Sequence, residues 1–235
     1  MIKTILFDID GTLLPMDLNV FTKCYFKHLL AYVSPLGFDS AEVYKAVMYG
    51  VELMMKNNGS ATNEEVFWQG FGTILGQDAC NHKDLFDRYY STDFNKAKDV
   101  CGFQPKAAEL IAKLKGKGIC LAVASNPLFP LIGQKARLEW AGIDPNDFAY
   151  ITAYENCRYA KPNPRYFLEI LEYLGCKAEE TLMVGNDVSD DMVAKDAGLQ
   201  VFLLTDCIIN SKNEEFSHFP QGNYDDLWEY IKNNV

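Results

Sequence analysis

Five short, continuously apolar runs stand out along the chain, at residues 3–7, 119–124, 148–152, 181–184 and 201–204. Unbroken apolar runs, rather than alternating ones, suit strands covered on both faces, as in a parallel sheet. Helical spacing fills the gaps between the later runs. One helix starts at Pro105, carries Leu110, Ile111 and Leu114 on one face, and is ended by Gly116 and Gly118. A second spans about 128–140 and stops near Gly142. Pro164 opens a third through Phe167, Ile170, Leu171 and Leu174, closed by Gly175, and a fourth spans 190–197 before Gly198. Pro at a helix start and Gly just past its end are physically favoured there. Strand and helix alternate, which predicts an α/β fold with a Rossmann-like, doubly wound parallel sheet.

Residues 15–98 break that alternation. They contain no clear strand and read as helices at 20–33, 40–57, 63–75 and 83–94. In the first, Phe21, Cys24, Tyr25, His28 and Leu29 share a face. Ser40-Ala41-Glu42-Val43 and Thr62-Asn63-Glu64-Glu65 read as helix starts, with polar caps and early acids. The expected organisation is a core of residues 1–15 and 99–235 with a helical cap of residues 16–98 inserted after the first strand. Two crossings, near 15–17 and 98–103, join them. Residues 223–235 read as a helix packing on the core.

Composition narrows the function. The 235 residues, 49% hydrophobic, suffice for a substantial core. A formal net charge of -10, with no Lys/Arg cluster, argues against nucleic acid or an anionic membrane as the main partner. A small phosphorylated substrate needs only local positive charge. The seven cysteines are scattered singly with no C-x-x-C, which fits reduced thiols in a cytoplasmic protein better than a disulfide framework or structural zinc. Met1 leads straight into a strand, and no apolar stretch is long enough to span a bilayer.

Candidate chemistry collects at the C-terminal ends of four predicted strands, the rim where open α/β sheets bind ligands. These segments are Asp8-Ile9-Asp10-Gly11-Thr12, Ser125-Asn126, Lys161-Pro162 and Gly185-Asn186-Asp187-Val188-Ser189-Asp190-Asp191. Asp8 and Asp10, two residues apart, point to the same side of an extended segment. Carboxylates with one lysine and small polar donors suit a magnesium ion and a phosphoryl group. A carboxylate can attack phosphorus, and a second can act as acid and then base. Bland readings compete. The first segment alone is an ordinary turn, Ser125-Asn126-Pro127 an ordinary helix N-cap, and Lys161 a surface lysine. Lys56 and Arg88 are candidate anchors for a substrate anion from the cap. No phosphate-binding G-x-x-x-x-G-K-[ST], dinucleotide G-x-G-x-x-G or serine-hydrolase G-x-S-x-G occurs.

Taken in order, D-x-D-G-T, S-N, K-P and G-N-D-x-x-x-D resemble the haloacid dehalogenase (HAD) superfamily, especially its phosphatase-like members with a helical cap, such as phosphoglycolate phosphatase-like proteins. The resemblance implies that Asp8 is the nucleophile and a metal ligand. It makes Asp10 the general acid/base, ligating metal through its backbone carbonyl. Ser125 and Asn126 would bind the phosphoryl group, Lys161 would hold the nucleophile and phosphate charges, and Asp187 and Asp191 would anchor Mg2+. Asn186 departs from the commoner G-D-x-x-x-D pattern. Either Asp187 takes the metal, the preferred register, or Asn186 does, with Asp190 as distal acid. Relatives that cleave carbon–halogen or carbon–phosphorus bonds lack an aspartate at the position of Asp10. The expected activity is therefore a magnesium-dependent phosphatase acting on a small phosphate monoester through an aspartyl-phosphate, as a monomer or homodimer. The alternatives are a phosphoryl mutase acting on a sugar phosphate and a non-catalytic protein that binds phosphate esters.

Overall fold

The computed structural model describes all residues, Met1–Val235. Its sheet is parallel throughout, in the order β3-β2-β1-β4-β5-β6. The strands are β1 (Thr4–Phe7), β2 (Cys120–Val123), β3 (Tyr150–Ile151), β4 (Thr181–Gly185), β5 (Gln200–Leu204) and β6 (Gln221–Gly222). All five expected strands form. The sixth has only two residues and no apolar run to announce it. Successive residues of β1 point to opposite faces: Ile5 and Phe7 enter one buried cluster and Leu6 the other. Both faces are therefore covered, which is why these strands read as unbroken apolar runs.

Four helices and short 3-10 segments follow the first strand: α1 (Leu18–Val33), α2 (Ser40–Met55), α3 (Asn63–Leu75) and α4 (Lys83–Ser91). Asp17 caps α1, accepting from the backbone N–H groups of Asn19 and Val20, and Thr62 with Glu65 forms a capping box on α3. α4 stops at Ser91, short of the expected 94, because Thr92 leaves helical geometry (φ −126°, ψ −89°) and a 3-10 stretch, Asp93–Val100, follows. The two crossings touch, since the Gly102 N–H donates to the Pro15 carbonyl at 2.7 Å. An aromatic cluster that includes Phe21, Tyr25, Phe94 and Phe129 joins this helical segment to the sheet side. Asn63 also bonds across, its N–H to the Cys157 carbonyl (2.8 Å) and its amide to that of Tyr159 (3.2 Å).

The remaining helices are α5 (Pro105–Lys115), α6 (Leu131–Trp140), α7 (Pro164–Leu174) and α8 (Tyr224–Asn234). α6 begins three residues later than its pattern suggests. Pro130 takes the N-cap position, and the Glu155 carboxylate, from beyond β3, accepts the Leu131 N–H. Ser125 is thus not a helix cap. The expected helix at 190–197 is a single 3-10 stretch, Met192–Ala197. Asp191 holds its N-cap position without capping it, because both of its carboxylate oxygens are tied into other contacts, described below. α8 buries Leu227 and Ile231, as expected of a helix packing on the core.

Candidate active site

Strand order reverses between β1 and β4, and open α/β sheets bind ligands at such a switch point. Asp8 leaves β1 there, and Asn186 and Asp187 leave β4. β2 leads into Ser125, and Lys161 arrives from the loop after β3. All eight residues singled out in the sequence line one cleft of about 240 Å³: Asp8, Asp10, Ser125, Asn126, Lys161, Asn186, Asp187 and Asp191. Lys56 and Arg88 do not reach it. Lys56 is exposed and paired with Glu52, and Arg88 is exposed.

Lys161 is the electrostatic centre. Its side chain is 2% exposed, and its Nζ donates to Asp8 Oδ1 at 2.9 Å and to Asp191 Oδ1 at 2.5 Å. Burial alone would push this ammonium down, but Asp191 and Asp8 outweigh that and hold its pKa above the ordinary value. Asp191 Oδ2 accepts the Asp187 N–H at 2.9 Å, so both of its oxygens are occupied by the protein. Burial raises the Asp191 pKa, opposed by the lysine beside it. A Cβ on Gly185 would lie 2.2 Å from Asp191 Cγ; only glycine lets that carboxylate pass.

Asp10 sits in a different environment. Its Oδ2 is held by Arg137 from α6, while its Oδ1 is buried without a partner. Desolvation raises its pKa despite the opposing pull of Arg137, and the Asp8 charge raises it further. The Arg137 side chain is wholly buried. It also donates to Gln134 Oε1 (2.5 Å) and the Gly133 carbonyl (3.4 Å), and its guanidinium lies 4.4 Å from the Phe129 ring centroid. Sequence reasoning missed Arg137 and Gln134. Their signal is a Q-x-x-R spacing on the otherwise apolar buried side of α6, where an arginine demands a partner.

The loop after β1 is closed by Gly11, at φ +87°, whose N–H donates to the Leu14 carbonyl. Thr12 Oγ1 donates to Asn186 Oδ1 at 2.9 Å, and Asn186 Nδ2 donates to the Cys207 carbonyl at 2.7 Å. The Asn186 amide therefore pins three loops together. Asp187 Oδ1 accepts the N–H groups of Ser189 (2.8 Å) and Asp190 (2.9 Å), with no protein donor recorded on its Oδ2. The Ser125 carbonyl is fixed by Thr152 and Tyr166 hydroxyls at 2.8 and 2.7 Å, while its own hydroxyl lines the cleft without a protein partner. Asn126 Oδ1 accepts the Lys161 N–H at 3.3 Å.

A family profile described as haloacid dehalogenase-like hydrolase matches residues 2–198. The chain belongs to that family. It is thus a hydrolase, and its curated relatives are phosphatases. Glyceraldehyde 3-phosphate phosphatase of Methanothermobacter thermautotrophicus is 29% identical over 212 residues, covering 87% of this chain and 86% of the relative. Phosphoglycolate phosphatase of Mesorhizobium japonicum is 26% identical over 197 residues, covering 84% and 80%. Among solved structures, a 2-haloacid dehalogenase from Pseudomonas syringae superposes with a TM-score of 0.63 at 20% identity, covering all of both chains. A predicted phosphoglycolate phosphatase from Haemophilus somnus superposes at 0.59 and 20%, covering 98% of each. At that identity these two structures speak to the fold, which is the HAD α/β fold. No helix is long and apolar enough to cross a membrane.

Proposed function

We propose that this HAD-family hydrolase is a magnesium-dependent phosphatase that cleaves a small phosphate monoester through an aspartyl-phosphate on Asp8. The observation that carries the reading is the contrast between two carboxylates in one cleft. Asp8 is bonded to the buried Lys161 ammonium at 2.9 Å, whereas burial raises the Asp10 pKa, the direction a proton donor needs. Asp8 would attack phosphorus, forming the Asp8–phosphorus bond as the bond to the ester oxygen breaks. Asp10 would give its proton to the departing alkoxide and then take one from the water that hydrolyses the acyl phosphate. Lys161, the Ser125 hydroxyl and Asn126 are suited to hold the non-bridging oxygens. Asp191, with both oxygens engaged, would position Lys161 rather than touch substrate.

The donors suit Mg2+. Asp8, Asp10, Asp187, Asp190 and Asp191 face only Lys161 and Arg137, so the cleft carries excess negative charge. Hard oxygens remain at Asp8 Oδ2, Asp187 Oδ2 and the Asp10 carbonyl, and these would hold the ion. No three His, Cys, Asp or Glu side chains group closely enough to hold an ion by themselves, so the Asp10 carbonyl and water would have to complete its shell. Asp187 is the better ligand than Asn186, because it brings charge and the Asn186 amide is already committed on both sides. Bound there, Mg2+ would offset the repulsion between Asp8 and an anionic substrate. Residues 16–98 would act as a cap on a core of 1–15 and 99–235, since Leu18, Phe21 and Thr22 already line the cleft.

The test is inorganic phosphate release from a panel of monoesters, with Mg2+ or with chelator, by wild type and Asp8→Asn. Release that requires Mg2+ and vanishes in the folded variant is expected. An active Asp8→Asn protein refutes the mechanism. Transfer to a sugar phosphate without phosphate release identifies a mutase instead.

A further inference from the structure

Behind the catalytic cleft lies a second chamber of about 220 Å³, walled by the helical segment 16–98 and the loop before α6. The two spaces adjoin: Phe21, Thr22, Leu128 and Phe129 line both. A phosphate ester seated in the cleft has this chamber next to it, across those four side chains. We propose that the chamber receives the leaving group, and that the natural substrate is therefore the phosphate monoester of an uncharged, largely apolar alcohol carrying a ring or a branched chain. The inference rests on the phosphatase reading and narrows its substrate class.

The lining argues for this chemistry. Fourteen of its seventeen residues are hydrophobic, among them Val47, Val51, Phe67 and Trp68. No lysine, arginine or histidine lines it, and its one charged residue is acidic, Asp87, already paired with Lys83 at 2.9 Å. A leaving group bearing a carboxylate or a second phosphate would lose its hydration there and meet no cation, an arrangement that burial penalises heavily. The polyhydroxylated body of a sugar would need several donors and acceptors. The hydroxyls of Tyr25 and Tyr90 are bonded to each other at 2.9 Å, which leaves the Thr22 and Tyr154 hydroxyls and the Trp68 ring N–H to meet a guest's polar groups, too few for a polyol. Size agrees: a cavity of about 150 Å³ admits benzene, and this one is larger by enough for a short linker. The aromatic walls suit an aromatic or branched guest.

The experiment compares kcat/KM for benzyl phosphate, phosphoglycolate and glycerol phosphate with the full-length, Mg2+-loaded protein. Benzyl and glyceryl alkoxides are both poor leaving groups, so a large preference reports binding of the organic portion rather than ease of bond cleavage. The expected result is a preference for benzyl phosphate of at least about 10-fold, the range an apolar pocket supplies for one good apolar fit. Val51→Asp places a charge in the chamber wall away from the cleft, and the benzyl-to-glycerol ratio should fall about 10-fold. Met48→Lys, at a half-exposed wall position that tolerates a polar residue, should shift the ratio in the same direction if Val51→Asp does not fold. A preference for phosphoglycolate or glycerol phosphate, or a ratio indifferent to the folded variants, overturns this inference and leaves the phosphatase reading intact. No release from benzyl phosphate, with release from another ester of the panel, overturns this inference alone; release from no ester at all overturns both.

Discussion

Arg137→Met isolates the coupling between the buried guanidinium and Asp10. Methionine keeps an apolar stem but removes the donors to Asp10 Oδ2, Gln134 Oε1 and the Gly133 carbonyl, together with the stacking on Phe129. The Asp10 side chain is only 17% exposed, so little water replaces the lost cation. Deleting one partner of a buried ion pair costs about 3–5 kcal/mol. Protonation sets a ceiling on the electrostatic part. Neutralising a carboxyl of unfolded-state pKa about 3.9 at about pH 7 costs roughly 4 kcal/mol, and at about pH 5 only roughly 1.5 kcal/mol. Without Arg137 the folded-state pKa of Asp10, already raised, rises further, so the folded variant binds more protons than the unfolded chain. Its stability therefore falls as pH rises from about 4 towards 7, while nothing is lost below the unfolded-state pKa. The stranded Gln134 oxygen adds about 1 kcal/mol at every pH. The expected penalty relative to wild type is up to about 5 kcal/mol near neutrality and about 2.5 kcal/mol at about pH 5. Urea unfolding followed by tryptophan fluorescence, in chelator to keep metal out of the comparison, measures both values. A penalty that is the same at the two pH values, or below about 1 kcal/mol near neutrality, would refute the reasoning.

Two further substitutions probe the loops around the cleft. Gly11→Ala must adopt φ +87° and would place Cβ 2.3 Å from Asn186 Nδ2. The left-handed backbone alone costs about 1–2 kcal/mol, and displacing Asn186 disturbs its bonds to Thr12 and Cys207. A lowered Tm and a loss of turnover are expected, and a Tm equal to wild type would contradict the structure. Asp187→Ala should weaken Mg2+ binding in calorimetric titration far more than Asn186→Ala, whose main effect should be a lower Tm. The reverse order would make Asn186 the ligand.

The apolar runs, helix punctuation and four motifs determined the α/β class, five of the six strands, the helical insertion and the eight residues of the cleft. Those signals are local. A strand buried on both faces must be apolar at every position, and chemistry at a strand end shows as a polar break after an apolar run. What tertiary structure decided is everything that depends on residues distant in the chain. The α6 start moved because Glu155 caps it from beyond β3, and 192–197 wound as a 3-10 stretch behind Asp191, whose carboxylate is engaged by Lys161 rather than capping it. The Asp10–Arg137 pair spans 127 positions, and the Lys161–Asp8 pair 153. No periodicity encodes such a partner; only the packed chain brings a buried cation to its carboxylate. The chamber beside the cleft is of the same kind. Phe21 shows in the sequence only as part of an apolar helix face, and the cavity it lines exists only because α1–α4, the loop before α6 and Tyr154 leave a space that none of them fills.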